Sequence, residues 1–219
     1  MVRARPNHAA SNFYRMLIVK SKYKVAKRLG AGVFDQTQTQ KFALSEARGK
    51  AKPRGGRRGG SDFGRQLLEK QRVRFTYGLS ERQLSNYVER AMHEKNPSAA
   101  LFAMLESRAD NALYRAGLAP TRRAARQAVS HGHVLINGKR TRVPSHALSK
   151  GDTLSIREGV RASSLYASLA DKPAEERRSP ASWIDADLSL LTAEVKTQPA
   201  YTAALSGLDL ATVFEFYSR

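Results

Sequence analysis

The segment that most constrains the fold of this chain spans residues 120–152 and predicts a short helix followed by a tight hairpin. Residues 121–130 predict the helix, and Gly132 ends it. Alternating polar and apolar residues at 133–136 predict a strand, and residues 139–143 predict its return partner. Asn137-Gly138 between them predicts a type I′ turn, because that turn needs a positive φ at both central positions. The segment therefore favours a small unit in which a helix packs on an antiparallel hairpin.

The basic charge of the chain is unevenly distributed. The formal net charge is +19, and residues 1–60 alone carry 15 Lys/Arg against 2 Asp/Glu. Residues 101–150 carry 9 against 2, whereas residues 151–219 carry 7 against 10. This concentration predicts an anionic partner, either a nucleic acid or an anionic membrane surface. The membrane surface is disfavoured because helix 121–130 has no Trp, Phe or Leu face.

The arginines of helix 121–130 predict a phosphate-binding surface. Arg122 and Arg126 share one helix face and Arg123 lies beside them. Arginine forks bind phosphate bidentately, and the helix N-terminus adds free N–H groups. The neighbouring segments offer further basic residues, namely Arg108, Arg115, Lys139, Arg140 and Arg142. Acidic residues are scarce nearby, so we expect these arginines to lack protein partners and to bind RNA.

The rest of the chain predicts helices first and strands later. Ser80 and Gln83 have capping-box spacing, Asn96-Pro97 predicts a break, and Ser98 is the expected cap of a helix over 98–116. Residues 21–29 predict a short helix, whereas residues 35–43 show no clear periodicity. Further strands are expected at 153–156, 182–190 and 213–217.

Residues 47–60 are rich in Gly, Pro and Arg, so that we expect no packed core there. The segment is either a flexible linker or a strap that orders on RNA. The charge favours the strap, since a plain linker needs only Gly and Ser.

The chain offers little for catalysis or metal binding. It has no cysteine, which excludes disulfides, thiolate zinc sites and a Cys nucleophile. His131 and His133 flank Gly132 without a third ligand nearby, so packing or RNA contact is expected there rather than a metal site. Asp185 and Asp187 are interpreted as surface acids. No run of apolar residues is long enough to span a membrane, and we expect a soluble, intracellular protein that is not an enzyme.

Residues 104–157 resemble the RNA-binding module of bacterial small-subunit ribosomal protein four. The match rests on Arg108, Asp110, Asn111, Tyr114, Arg115, Gly117, Arg122, Ala125, Arg126, Gln127, Val129, Ser130, His131, Gly132, His133, Asn137, Gly138, Pro144, Ser145, Gly151 and Asp152. Residues 67–91 and the ending FEFYSR (214–219) are also similar to that family. Many members carry a Cys cluster that binds zinc, and because this chain has none, no metal is expected.

The resemblance implies an α+β fold with an N-terminal helical domain. A small RNA-binding module of two helices packed on a short antiparallel sheet follows. The expected division is a basic, partly extended segment (1–60), a helical domain (61–103), the module (104–170) and a C-terminal segment (171–219) that packs back on the helical domain.

The resemblance also implies a structural constituent of the ribosome. Such a protein is a primary binder of small-subunit ribosomal RNA at a junction in the 5′ domain, nucleates subunit assembly and contributes to translational accuracy. Ribosomal proteins three and five are expected neighbours, with messenger RNA at the entry path. No cofactor, membrane or small-molecule substrate is expected, and the location is the cytoplasmic ribosome. Two alternatives use the same module, a translational repressor that binds messenger RNA and an RNA-modification enzyme.

The expected RNA-binding residues come from the module, the preceding helix and the Gly/Arg-rich segment. They are Arg108, Arg115, Thr121, Arg122, Arg123, Arg126, Gln127, Ser130, His131, His133, Asn137, Lys139, Arg140, Arg142, Lys70, Arg72, Arg74, Arg54, Arg57 and Arg58.

Overall fold

The structure is a computed structural model that describes residues 19, 21–50, 61–170, 178–202 and 207–219. Helices dominate the first half of the described chain. In order they are α1 (Lys22–Leu29), α2 (Gln40–Lys50), α3 (Asp62–Thr76), α4 (Glu81–Met92), α5 (Pro97–Glu106), α6 (Ala109–Arg115) and α7 (Arg122–Ser130). Two 3₁₀ turns, Ala31–Val33 and Asp35–Thr37, connect α1 to α2.

The second half alternates strands with short helices. The elements are β1 (Val134–Ile136), β2 (Lys139–Arg140), β3 (Thr153–Ile156), α8 (Glu158–Arg161), α9 (Ser164–Ala170), β4 (Ile184–Asp187), β5 (Thr192–Val195) and α10 (Leu210–Tyr217). The strands form one antiparallel sheet in the order β2-β1-β3-β5-β4. The α+β prediction is confirmed.

Two hydrophobic cores organise the described chain. The first lies between α6, α7 and the sheet, and Leu113, Val129 and Ile156 are fully enclosed in it. The second lies among α3, α4, α5 and α10, where Leu84 and Leu105 are inaccessible to solvent. Burial of such aliphatic side chains is the main favourable term for both units.

Local capping signals in the sequence specify several helix starts. The Ser80 hydroxyl accepts a hydrogen bond from the Gln83 N–H, and the Gln83 side chain accepts one from the Ser80 N–H, so the capping box is confirmed. Thr121 caps α7 through the Ala124 N–H at 3.1 Å. Asn137 and Gly138 both have positive φ, 49° and 76°, as the hairpin turn requires.

The prediction of one helix over residues 98–116 is wrong at both its start and its middle. Asn96 caps α5 by accepting from the Ala99 N–H, and Pro97 takes the first helical position, where its missing N–H costs nothing. The chain then leaves helical geometry at Ser107 and Arg108, because Arg108 bridges to Ala147 beside the hairpin. This break creates α6 as a separate helix.

The N- and C-terminal expectations also need correction. Residues 40–50 form α2, although residues 35–43 show no clear periodicity and no packed core is expected over 47–60. Together with α1 and the two 3₁₀ turns, α2 makes most of residues 22–50 helical. Residues 213–217 form the last turns of α10 rather than a strand. Asp209 caps this helix at the Thr212 N–H, and Leu210 and Val213 share one buried face.

The C-terminal segment is divided between the two units. β4 and β5 extend the sheet of the module, because β5 pairs with β3. Of the described C-terminal residues, α10 packs against α3, and Tyr201 and Leu208 join the same hydrophobic core. Residues 51–60, expected to be a linker or strap, lie outside the described residues.

Candidate nucleic-acid interface

A buried carboxylate on α5 organises the junction between the two units. Glu106 is 0% exposed, and Arg115 donates to its two oxygens from Nε at 2.7 Å and Nη2 at 2.8 Å. The Tyr77 hydroxyl and the Asn111 amide donate to the same carboxylate at 2.8 and 2.7 Å. Both oxygens of the Glu106 carboxylate therefore accept hydrogen bonds from within the protein.

A second buried carboxylate at the start of α6 holds two further arginines. Arg108 donates bidentately to Asp110 at 3.0 and 2.9 Å, and Arg126 donates to it from Nε at 2.6 Å. The other nitrogens of Arg126 donate to the carbonyls of Tyr77, at 2.6 Å, and of Gly78. Arg126 thereby ties α7 to the end of α3.

Arg122 extends the contacts around Glu106 through the neighbouring Asn111. Its Nε donates to the Asn111 side-chain oxygen at 2.8 Å, and its guanidinium lies 4.4 Å from the ring centre of Tyr114. A weaker contact of 3.9 Å leads to Glu106. We name Arg108, Arg115, Arg122 and Arg126, with Glu106 and Asp110, the arginine network.

The pKa values of both acids reflect this pairing. Burial alone raises the pKa of Glu106, but the hydrogen bonds and charge of Arg115, followed by the charge of Arg122, outweigh it and leave that pKa below its ordinary value. Burial also raises the pKa of Asp110, and Arg126 and Arg108 together lower it below the usual value. Both carboxylates are charged at neutral pH.

The network corrects the expectation that these arginines lack protein partners. Acids are scarce in this part of the sequence, but in the folded structure Glu106 and Asp110 pair with all four arginines. Arg108 is 3% exposed, and its guanidinium is enclosed by Asp110 and Tyr87, so the free protein does not present it on the surface. Arg115, Arg122 and Arg126 are only partly exposed, and their donors point into the protein.

A different basic cluster lies at the other end of α7, around the hairpin. We name His131, His133, Arg140, Arg142 and Arg157 the cationic hairpin surface. Arg140 folds back along the turn and donates to the carbonyls of Gly132 at 3.0 Å and His131 at 3.1 Å. Gly132 has a φ of +70°, and a Cβ there would lie 2.4 Å from the Arg140 Nε. Only glycine therefore permits both the turn and this close approach.

The electrostatics of the hairpin surface are repulsive. The charge of Arg142 is the largest cause that lowers the pKa of Arg140, and Arg157 adds to it. Burial lowers the pKa of His133, and the charges of His131, Arg157 and Arg140 lower it further. None of these five side chains forms an ion pair with an acid in the described part of the chain. The arrangement is favourable only when an anion neutralises it.

Three buried polar atoms beside this surface have no hydrogen-bond partner among the described residues. They are His133 Nδ1, Arg157 Nε and the Tyr166 hydroxyl. The rings of His133 and Tyr166 are 6.4 Å apart between centres, and His131 lies 5.6 Å from His133. Unpaired buried donors are costly, and a ligand oxygen is one way to satisfy them.

The remaining module residues divide between structural and exposed positions. Asn137 uses its amide internally, donating to Asp152 at 2.7 Å and accepting from the Thr153 N–H at 2.9 Å. Ser130 donates to the Arg126 carbonyl at 2.8 Å. By contrast, three of the predicted RNA-binding residues are exposed, and their side chains form no hydrogen bond in the described structure. They are Arg123, Gln127 and Lys139.

The basic residues predicted on α3 hold the helical unit together. Lys70 is buried, pairs with Glu81 at 2.7 Å and lies 4.3 Å from the Phe216 ring centre, so its charge is used inside the helical unit. Arg72 donates to the Leu29 carbonyl at 2.9 Å, and Arg74 to the Leu79 carbonyl at 3.3 Å. Arg54, Arg57 and Arg58 lie outside the described residues.

Sequence reasoning missed Arg157 and the network acids. Arg157 directly follows β3, and its position beside the turn depends on the pairing of β3 with β1. The role of Glu106 required knowing that α5 ends there. Within the described residues, no group of three His, Cys, Asp or Glu side chains comes close enough to hold a metal ion, and no helix there is long and apolar enough to cross a bilayer.

Comparisons with known proteins match almost the whole chain. A family model described as S4 domain matches residues 107–154, and one described as Ribosomal protein S4/S9 N-terminal domain matches residues 18–106. Small ribosomal subunit protein uS4 of Roseiflexus sp. (strain RS-1) is 39% identical over 197 residues, with 90% of this chain and 96% of the relative covered. The protein of the same name from Roseiflexus castenholzii is 36% identical with the same coverage. That from Borrelia turicatae is 33% identical over 201 residues, covering 91% and 96%.

Identity at this level over nearly the full length of both chains shows the family. The predicted resemblance is confirmed, and with it the expectation of a structural rather than catalytic protein. The chain belongs to the uS4 family of small ribosomal subunit proteins, which are non-enzymatic components of the ribosome.

Proposed function

We propose that this protein is a primary binder of small-subunit ribosomal RNA and that the cationic hairpin surface is its main phosphate contact. The observation that carries the proposal is the contrast in pairing: these five basic side chains have no acidic partner in the described structure, whereas each arginine of the arginine network pairs with Glu106 or Asp110. Such a surface attracts RNA over a distance, and the bound phosphates then neutralise the repulsion among its positive charges.

The shape of the surface suits an RNA junction. A-form RNA hides its base edges in a deep groove, so a protein reads its backbone and 2′-hydroxyls. The hairpin presents Arg140 and Arg142 on one short turn, and His131 and His133 beside it supply further donors. Exposed Arg123, Gln127 and Lys139 extend the proposed interface, as do Arg54, Arg57 and Arg58 of the basic segment. We further propose that binding is to the 5′ domain junction, where the protein nucleates assembly and influences translational accuracy.

The division of the chain supports this role. We propose that residues 61–103 and 104–170 form the helical domain and the RNA-binding module, joined rigidly by the arginine network. Ribosomal proteins three and five and messenger RNA are the proposed neighbours. The acidic C-terminal third, with Asp185 and Asp187 exposed on β4, favours a protein rather than an RNA on that side.

The experiment is a binding titration with the 5′ domain of small-subunit ribosomal RNA and a size-matched unrelated RNA. We expect preference for the ribosomal domain, and a weaker, less salt-dependent affinity when Arg140, Arg142 and Arg157 are all changed to Ala. The logarithmic salt slope should fall by about 0.7–0.9 for each lost phosphate contact. The matched control changes Arg82 and Arg90 to Ala, two exposed arginines on α4 that form no ion pair in the described structure.

Equal affinity for both RNAs would overturn the specific assignment. An unchanged salt slope in the triple variant would show that Arg140, Arg142 and Arg157 do not contact phosphates and that RNA binds elsewhere on the protein. Co-sedimentation with small subunits tests the structural role separately, since a free-standing messenger repressor would remain in the soluble fraction.

A further inference from the structure

A cavity of about 270 Å³ opens between the start of α7, the end of α3 and the 3₁₀ turns after α1. It is separate from the cationic hairpin surface, which follows the opposite end of α7. Its floor is apolar and aromatic, formed by Val33, Phe34 and Phe75. Its rim is polar and basic, and includes Lys22, Arg123 and Gln127.

We infer that this cavity binds one unpaired base of the RNA, with the flanking phosphates on its basic rim. The inference rests on the proposed RNA-binding function and adds a second, chemically distinct contact to it. We name the site the base pocket.

The aromatic floor carries the first part of the argument. Phe34 and Phe75 meet edge to face with ring centres 6.3 Å apart, and both rings are only half-buried. Exposed aromatic faces beside a cavity are the platform on which single-stranded nucleic acids stack their bases. A phosphate would find no donors on such a floor, so the occupant that fits is a flat heterocycle.

The size of the cavity limits the occupant further. A volume of about 270 Å³ is below that of pockets for drug-sized ligands. One base fits this limit, whereas a stacked pair or a helical segment does not.

The rim supplies the second part of the argument. Arg123 and Gln127 are exposed one turn apart on α7. Their side chains form no hydrogen bond in the described structure, so both are available to a ligand. The Gln127 amide can both donate to and accept from a base edge. Lys22 also lines the cavity, and its ammonium group donates to the Gln36 side-chain oxygen at 2.6 Å.

The acid at the rim does not oppose a nucleic acid. Asp35 also lines the cavity, but its Oδ1 accepts from the Tyr114 hydroxyl at 2.5 Å and from Arg178 at 3.1 Å. Arg122 and Arg126 also line the cavity, but their guanidinium groups are paired within the arginine network. The net charge around the opening is therefore positive.

The test combines ultraviolet cross-linking with affinity measurements, using the full chain and the 5′ domain ribosomal RNA as probe. In the wild type we expect a nucleotide adduct on Phe34 or Phe75, found by mass spectrometry of the digested protein. Ala124→Phe fills the cavity from its α7 wall and should abolish the adduct and weaken binding by about ten-fold. Phe34→Ala should weaken binding similarly, whereas Phe34→Tyr, which keeps the ring, should retain it.

The matched control is Phe63→Ala, because Phe63 is also exposed but packs against Phe216 on the far side of α3. It should leave both adduct and affinity unchanged. A melting curve for each variant shows that it is folded, and the two independent variants prevent a folding defect in one from deciding the result.

Wild-type affinity in Ala124→Phe with the adduct still present would overturn the base pocket alone. Loss of all preference for ribosomal RNA in the wild type would instead overturn the proposed function, and this inference with it.

Discussion

The arginine network and the cationic hairpin surface use the same residue type at the two ends of one helix for opposite purposes. In the network, Arg122 and Arg126 serve two buried carboxylates and the carbonyls at the end of α3. At the hairpin, Arg140 and Arg142 repel each other and lack an acidic partner in the described chain. An arginine-rich helix therefore does not by itself mark a nucleic-acid surface: what matters is whether acids brought in from other elements already compensate it.

The largest expected effect comes from neutralising Asp110, the buried acid that pairs with both Arg108 and Arg126. Asp110→Asn leaves the enclosed Arg108 without a charged partner and should lower the free energy of unfolding by about 3–5 kcal/mol. Urea denaturation measures this change. The exposed Asp185, which lies 3.8 Å from Lys196, provides the control, since Asp185→Asn should alter stability by less than about 1 kcal/mol. Equal effects of the two substitutions would contradict a structural role for the network.

Acid should weaken the network in a defined pH range. The pKa values of Glu106 and Asp110 lie below their ordinary values in the folded state, so their stabilising contribution is complete above the unfolded-state values of about 4. It is lost as the pH falls through the folded-state pKa values. The stability difference between the wild type and Asp110→Asn should therefore shrink below about pH 4. A difference independent of pH would show that charge is not the cause.

A smaller effect is expected at the glycine that admits Arg140. Gly132→Ala should cost about 1–2 kcal/mol of stability through its positive φ and should displace Arg140, weakening RNA binding as well. Gly151→Ala is the matched control, because Gly151 also has a positive φ of +86° but a Cβ there meets nothing within 4 Å. If Gly151→Ala loses a similar amount of stability but keeps its RNA affinity, the weaker RNA binding of Gly132→Ala is caused by the displacement of Arg140.

The smallest effect concerns the charge of His133. Burial and neighbouring positive charges lower the pKa of His133 in the free protein, and RNA phosphates should raise it again. Binding then takes up a proton, so affinity should increase by about three-fold from pH 8 to pH 6. His133→Gln should flatten this dependence, whereas His93→Gln, on the exposed end of α4, should not. A pH profile unchanged in His133→Gln would assign the proton to another group.

Sequence patterns predicted those parts of the fold that depend on neighbouring residues. The Ser80 capping box, the helix over 121–130 and the Asn137-Gly138 turn each depend on residues within a few positions, and all three are confirmed. The sequence of residues 213–217 favours a strand, because five residues do not distinguish the two-residue period of a strand from the 3.6-residue period of a helix. The helical form of these residues depends on packing against α3.

The site was harder to predict because its electrostatics are non-local. Scarcity of acids in the sequence suggested unpaired arginines, yet Glu106 reaches Tyr77 and Arg122 from distant parts of the chain. The same non-locality brings Arg157 to the hairpin through the pairing of β3 with β1. The basic composition predicted an anionic partner, whereas the role of each arginine required the tertiary structure.

The most direct test of this division compares Arg126→Ala with Arg142→Ala in stability and RNA affinity together. Arg142→Ala should weaken binding to the 5′ domain RNA and leave the free energy of unfolding within about 0.5 kcal/mol of the wild type. Arg126→Ala should lower that free energy by about 3 kcal/mol or more and, under conditions where it is folded, bind RNA nearly as well as the wild type. An Arg126→Ala variant with normal stability and strongly reduced affinity would contradict the account.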